Sequence, residues 1–368
     1  MARGETAACG GAMLRRVLGL VGAAVDLKVD RWRDQQQNPH PIARIAFNKR
    51  PRATAWGGGN QWLNQMVRWL RVHGYSVCFT LDPDVDCIML VDPRPVETVT
   101  FGVSEIQVFK RRHPEAVCIH RINENDQHRQ SRDRNAALAE ANTVADHTIF
   151  ISSWVRDYHA ARWFHLERPH SVIHNGADPD IFYPARLSTY APGGTLRLVT
   201  HHWSDNWAKG FRVYQQIDEL IASGQLRELE LWVIGRWPKE LRWKRATTFP
   251  PARGEALADL LRRCHVYLTA SQWESGGMHW IEGAQCGLPV IYHADGGGIG
   301  EVASRFGVEF REDLRSAVLD IRARYPALRQ AVLKHAPSGD RMCDQYRRLI
   351  EDMLAAAQSS RIERVVPV

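Results

Sequence analysis

Two glutamates, Glu274 and Glu282, flank a Gly276-Gly277 pair in the segment ASQWESGGMHWIEGAQCGLPVI. Carboxylates accept hydrogen bonds from paired O–H groups, which suits sugar and ribose hydroxyls. Glycines let a backbone approach a ligand closely. A helix expected to begin near Met278 would turn free N–H groups toward a phosphate. Lys209, followed by Gly210, adds a compact ammonium charge of the kind that neutralises phosphate. Each residue has a plainer reading: Glu282 as an exposed helix carboxylate, Lys209 as a solvated loop lysine. Together they fit a ligand that carries both hydroxyls and phosphate.

The elements that would position these residues can be read from hydrophobic periodicity. Ala43–Phe47 (ARIAF) is an apolar strand, followed by a loop ending in Gly57-Gly58-Gly59. Leu63, Met66, Val67 and Leu70 recur at helical spacing in a helix over Gln61 to Val72, and Gly74 is its stop. YSVCF, CIMLV, AVCIH and HTIFIS read as further strands, with helices over Arg132 to Ala145 and Trp154 to Phe164. SVIHNGAD closes the first half. LRLVTH, LELWVIG, ATTF, VYLTAS and LPVIYH repeat the rhythm, with helices over Phe211 to Ala222, Glu255 to Cys264 and His279 to Gln285. Strands alternating with helices predict an α/β fold of two Rossmann-like domains, their parallel sheets facing an interdomain cleft where ligands bind.

The expected division is an amino-terminal extension over 1–40 and a first domain over 41–176. A Pro- and Gly-rich linker spans 177–195 and a second domain 196–337. The remainder, 338–368, carries a helix near Met342 to Ala357 that folds back on the first domain. A length of 368 residues supports two cores. The formal charge of +7 suits an anionic partner. The basic residues are dispersed and form no nucleic-acid motif, so nucleic acid is not expected. Seven scattered cysteines, never as CxxC, read as buried thiols in a reducing compartment. No run is long and apolar enough to span a bilayer. Residues 13–33 place Leu14, Val17, Leu18, Val21 and Val25 at helical spacing beside Arg15, Arg16, Lys28, Arg31 and Arg33. That pattern reads either as an amphipathic helix on an acidic membrane surface or as a helix packed on the protein.

With these pieces in order, the chain resembles GT-B glycosyltransferases, and glycosyltransferase family 4 in particular. The resemblance rests on ExxxxxxxE followed by GxPVI, on the Gly57–Gly59 loop before a helix, on IHNGADPDIFYP as an NGxDxxxF-P segment, and on Lys209-Gly210 as the family's KG pair. It covers nearly everything from residue 42 to about 305. It implies that Glu274 holds and orients the transferred sugar and that Glu282 binds the donor ribose. Lys209 and the amides of Gly276, Gly277 and Met278 would take the diphosphate, with Gly58 and Gly59 also at the donor. The family often places a histidine where His120 ends AVCIH, which implies a place for His120 near the donor sugar. Arg121, Asn123 and Asp126 are acceptor-side candidates, and position alone puts residues Thr248 to Arg253 at the base.

The same resemblance implies a retaining, metal-independent hexosyltransferase, cytoplasmic or peripheral on the inner face of a membrane, of the kind used in polysaccharide biosynthesis. Its donor would be a UDP- or GDP-sugar, its acceptor a glycan or lipid-linked hydroxyl, with no other cofactor. One feature departs from the pattern. The family usually has an arginine shortly before the lysine, whereas THHWSDNWAKG has none. His201, His202, Asn206 and Arg236 are the candidates to replace it. Among the 13 tryptophans, Trp203, Trp207, Trp273 and Trp280 flank the expected site, as sugar platforms or as ordinary core. Asp84 and Asp86 form a DVD, but before the CIMLV strand and so away from the donor residues. The rival readings are an epimerase or phosphorylase on the same fold, and a catalytically silent GT-B module that binds a nucleotide sugar or glycan.

Overall fold

The computed structural model describes residues 36, 38–52, 57–185 and 190–365, with side chains to residue 359. The amphipathic pattern over 13–33, Cys9 and part of the expected linker lie outside the described residues. Among the described residues the two halves of the chain carry six strands each. The first six are β1 (Arg44–Phe47), β2 (Ser76–Cys78), β3 (Cys87–Leu90), β4 (Val117–Ile122), β5 (His147–Phe150) and β6 (His170–Val172). The second six are β7 (Leu196–His202), β8 (Leu229–Gly235), β9 (Thr247–Phe249), β10 (Val266–Thr269), β11 (Val290–His293) and β12 (Gly307–Phe310).

Contacts divide the chain into two compact units. The smaller holds the described residues within Met1–Arg50, Val67–Cys118 and Met353–Val368. Within it β1 lies between β2 and β3, both parallel, with Ile45 level with Val77 on one side and Cys87 on the other. All three strands are buried along their length, as expected for a parallel sheet covered on both faces. The larger unit comprises Pro51–Met66 and Ile119–Asp352. It holds β4, β5 and β6 as parallel neighbours. It also holds a six-stranded sheet in the order β12-β11-β10-β7-β8-β9. Every pairing in that sheet is parallel.

The six-stranded sheet is packed on both faces by helices that begin where the strands' apolar runs end. On one face Leu198, Leu231 and Leu268 meet Phe211, Tyr214 and Ile217 of the helix Phe211–Ala222, together with Ile321 and Leu328 of the helix Leu314–His335. On the other, Val199, Tyr267 and Val290 meet Leu257, Leu261, Trp280 and Ile281. Side chains alternate across a strand, so neighbouring residues such as Leu198 and Val199 serve opposite cores. This is the Rossmann-like α/β arrangement read from the sequence.

Two helix boundaries have local causes. The helix expected over Gln61 to Val72 begins at Gly58, because the three-glycine run turns directly into it. The helix Leu314–His335 contains Pro326 and still runs for 22 residues. Asp313 starts it, its side chain accepting from the Ser316 amide at 2.8 Å. Burial of Ile321, Tyr325, Leu328 and Val332 carries it through the proline. Among the described residues no helix is long and apolar enough to cross a membrane. The cysteines Cys78, Cys87, Cys118, Cys264, Cys286 and Cys343 are all buried.

Candidate functional site

The larger unit contains a cavity lined by residues from its Gly57–Gly59 loop, the end of β4, the end of β7 and the loop between β10 and the helix Met278–Gln285. Two loops are first stitched to each other. Gly210 takes a left-handed conformation (φ +88°) and lies directly against Ala270, with no room for a side chain. The Gln272 amide donates to the Ala208 carbonyl at 3.0 Å, and Asn206 caps the short 3-10 turn Trp207–Lys209 by accepting from the Ala208 amide. Lys209 is thereby pressed against the loop that carries Glu274. Replacing Gly210 by alanine is expected to lower stability by about 2 kcal/mol or more, since it adds both left-handed strain and a clash. Urea unfolding compared with wild type checks it.

A second strap holds Glu274 from its other side. Asn125, fully buried, donates through Nδ2 to the Trp273 carbonyl (3.1 Å) and to Ser275 Oγ (2.9 Å), the two neighbours of Glu274. Its Oδ1 caps the next turn by accepting from the His128 amide at 2.8 Å. Trp273 itself is left-handed (φ +55°), unusual for a bulky residue. Its amide donates to the Asp295 carbonyl at 2.8 Å, which helps to hold that conformation. The Glu274 carbonyl accepts from the Gly298 amide at 2.8 Å.

The Glu274 carboxylate meets the Lys209 ammonium in a short ion pair. Lys209 Nζ also lies 3.3 Å from His128 Nε2, which is 3.6 Å from the second Glu274 oxygen. His128 Nδ1 faces the Gln272 carbonyl at 3.0 Å, and a carbonyl can only accept, so that nitrogen carries the proton. Neutral His128 therefore offers its Nε2 lone pair to Lys209. Burial pulls the His128 pKa down, against the opposing pull of Glu274. Burial works against an ionised Glu274, but the Lys209 ammonium against it outweighs that cost and holds the carboxyl well below its usual range. Glu274 is a carboxylate at any working pH.

Gly277 is small for a local reason. A side chain there would meet the His279 ring and approach the Glu274 carboxyl carbon to 3.2 Å. Gly58 is small because a side chain would fall 2.8 Å from the Met278 side chain. The helix Met278–Gln285 starts after Gly277 with no side-chain cap, and Gly276, Gly277 and Met278 line the cavity. That leaves amide donors of its first turn for an anion. His279 Nε2 is 2.9 Å from Thr269 Oγ1, and burial pushes its pKa down to about 3.

Glu282 is also buried, and its Oε2 lies 2.8 Å from His201 Nε2. The Tyr267 hydroxyl accepts from the His201 amide at 3.0 Å and stands 3.1 Å from His201 Nδ1. The hydroxyl thus donates to Nδ1, and His201 Nε2–H donates to Glu282. Burial raises the Glu282 pKa, while His201 and Gln61 pull it back. Glu282 Oε1 has no hydrogen-bond partner. Glu282 itself lines the cavity, and an unpartnered carboxylate oxygen is a candidate acceptor for a ligand hydroxyl.

The structure thus gathers Glu274, Glu282, Lys209, Gly276, Gly277, Met278, Gly58 and Gly59 around one cavity, with His201, His202, Trp203, Arg121 and Asn123. It does not bring His120 there. Along β4 side chains alternate, so His120 and Arg121 face opposite sides. His120 is fully buried, its Nδ1 accepting from Asn142 Nδ2 at 3.1 Å, and burial lowers its pKa to about 3. Arg236 is exposed and does not line the cavity, nor do residues Thr248 to Arg253. Asn206 is spent on its cap, and Asp126 accepts from Ser131 Oγ and the Arg134 amide. Trp280 packs in the core near Phe306, whereas Trp207 is half exposed. His128 was not singled out from the sequence. Its signal was the cap-forming Asn125 three residues earlier, which turns the chain back toward the Glu274 loop. Among the described residues no group of three or more His, Cys, Asp or Glu side chains is placed to hold a metal ion.

Residues 215–309 match the family model described as Glycosyl transferases group 1. Among solved structures the chain is similar to a sucrose-phosphate synthase from Thermosynechococcus elongatus, with a TM-score of 0.59 and 17% identity over 86% of this chain and 99% of that one. It is also similar to HepE of Anabaena in complex with UDP and glucose (TM-score 0.58, 12% identity, 84% and 99% covered). A third is WaaG, a glycosyltransferase involved in lipopolysaccharide biosynthesis (TM-score 0.57, 13% identity, 83% and 99% covered). Comparison with curated protein sequences finds no match. At such identities the likeness is one of fold, and the fold is GT-B.

Proposed function

We propose that this GT-B chain is a retaining glycosyltransferase that moves a hexosyl group from a nucleotide sugar to a hydroxyl of a glycan or lipid-linked acceptor. The observation that carries the reading is the ionised Glu274 paired with Lys209, beside an uncapped, glycine-lined helix start in one cavity. In this reading residues 196–337 hold the donor and 41–176 receive the acceptor. UDP is the first nucleotide to test, because the HepE structure contains it.

The chemistry follows from where charge develops. As the bond from the sugar C1 to the diphosphate oxygen breaks, positive charge grows on the sugar ring and negative charge on the nucleotide. Lys209 and the first-turn amides of the Met278 helix stabilise the leaving anion. Glu274 orients the sugar hydroxyls and shares Lys209 with the diphosphate. The acceptor hydroxyl attacks C1 from the face the diphosphate leaves, and its proton passes to a phosphate oxygen. The new bond then has the anomeric configuration of the old one, and no metal is required. A product of inverted configuration, or turnover abolished by a chelator, would overturn that mechanism.

Glu282 serves the donor ribose in this scheme, its unpartnered Oε1 accepting from a hydroxyl. Glu282→Gln is expected to raise the donor KM about 10- to 100-fold, the worth of a hydrogen bond to a charged group, with kcat little changed. Steady-state kinetics over a donor series checks it. The rival reading, a silent module that binds nucleotide sugar, draws on the Lys209 charge already being spent on Glu274. A wild-type protein that binds a nucleotide sugar yet neither transfers nor hydrolyses it would favour the module.

A further inference from the structure

Three lysines or arginines line the cavity: Lys209, Arg129 and Arg121. Lys209 is paired with Glu274, and Arg129 with Glu124 at 2.7 Å. Among the described residues, Arg121 has no such ion pair. It is 1% exposed. Its Nε donates to the Tyr346 hydroxyl at 3.1 Å and its Nη2 to Asn175 Oδ1 at 2.8 Å. Its guanidinium carbon sits 3.9 Å from the centre of the Trp62 ring. Nη1 is buried with no acceptor at all.

All of these partners are neutral. They fix the guanidinium plane, yet none supplies a counter-charge. Taking a cation out of water without a counter-ion is expensive, and folded proteins seldom leave such a group unmatched. The cost shows in the side chain itself: burial pulls its pKa down, only partly offset by Tyr346 and Glu124. A planar, pre-oriented guanidinium with free donors matches phosphate and carboxylate geometry. Tyr346 and Asn175 brace it from the helix Gly339–Val365 and from the loop after β6, so its orientation is set before any ligand arrives.

We propose that Arg121 is an oxyanion anchor of this cavity, its unmatched guanidinium taking a phosphate or carboxylate oxygen of the ligand. The inference builds on the proposed transferase reading and supplies a cation that the Lys209 segment lacks. The oxyanion has two sources: the donor diphosphate, or an acidic group on the acceptor.

The test measures binding of inorganic pyrophosphate, UDP and glucuronate by calorimetry to wild type, Arg121→Met and Tyr346→Phe, with nucleotide-sugar turnover assayed in parallel. Methionine keeps the bulk against Trp62, and Arg121→Gln is the second neutral variant should Arg121→Met fail to fold. The neutral variant is expected to lose affinity about tenfold or more for an oxyanion probe. Tyr346→Phe, which keeps the charge and removes only a brace, is expected to stay within about threefold of wild type. Losses confined to pyrophosphate and UDP assign the anchor to the donor; a loss confined to glucuronate assigns it to the acceptor. A folded neutral variant that binds all three probes like wild type overturns the proposal, even if transfer is intact. A wild type that binds none of the three overturns it as well. Oxyanion binding that depends on Arg121 in a protein with no turnover of any nucleotide sugar would leave the anchor standing and remove the transferase reading.

Discussion

Glu274→Gln is expected to lower kcat for glycosyl transfer by about 100-fold or more while leaving UDP affinity equal to or tighter than that of wild type. The two halves of this result have separate causes. The carboxylate is ionised, buried and aimed by the Asn125 strap, which in the proposed reaction lets it orient the sugar and face the positive charge growing there. Removing one pre-aimed electrostatic partner of a transition state typically costs about 2.7–4 kcal/mol, or 10²–10³ in rate. The amide keeps the shape but loses the charge. Lys209, which the carboxylate now holds, is released toward the diphosphate, and nucleotide binding does not suffer. Steady-state kinetics with calorimetric UDP titration reads both. Equal losses in kcat and UDP affinity would mean that Glu274 serves mainly to hold the lysine in place.

Lowering the pH from 7 to 5 is expected to remove about 4 kcal/mol of folding stability through His120 and His279 together. Burial holds both neutral, each with a pKa near 3 in the folded protein. In the unfolded chain each returns to about 6.5 and takes up a proton as the pH falls below that value. The folded pKa is the depressed one, so the stabilisation is present above pH 6.5 and lost progressively toward pH 3. At pH 5 each residue accounts for about 2 kcal/mol of the loss. His159 and His202, also depressed by burial, add in the same direction. Glu282, whose pKa burial raises, works the other way. Glu274, with its low folded pKa, contributes nothing in this window. Urea unfolding at pH 7 and pH 5 measures the change, and His120→Asn should remove about half of the effect due to this pair. Midpoints that do not move between the two pH values would rule it out.

These two histidine results come from opposite ends of what a sequence shows. His279 lies within the Glu274–Glu282 signature and is read with it. The place of His120 near the donor sugar is implied by the family resemblance, in a reading that ends the strand at AVCIH. β4 instead continues to Ile122, and its alternation turns Arg121 to the cavity and His120 to Asn142. A one-residue difference in strand parity exchanges the faces of every side chain. Short apolar runs do not reveal where such a strand ends.

The amino-acid sequence by itself determined the alternation of strands and helices, the GT-B resemblance and the group Glu274, Gly276, Gly277, Met278 and Glu282. All of these rest on local signals: hydrophobic period, glycine at close approaches, and a strand, loop and helix within about twenty residues. Only the tertiary structure decided which groups meet. The Lys209–Glu274 pair spans 65 positions, the Asn125 clamp about 150, and the Arg121–Tyr346 contact 225. Such meetings are set by strand order and register, which periodicity leaves open. For that reason Glu274 and Lys209 were legible singly, while their ion pair, His128 beside them and the unmatched Arg121 emerged only from the fold.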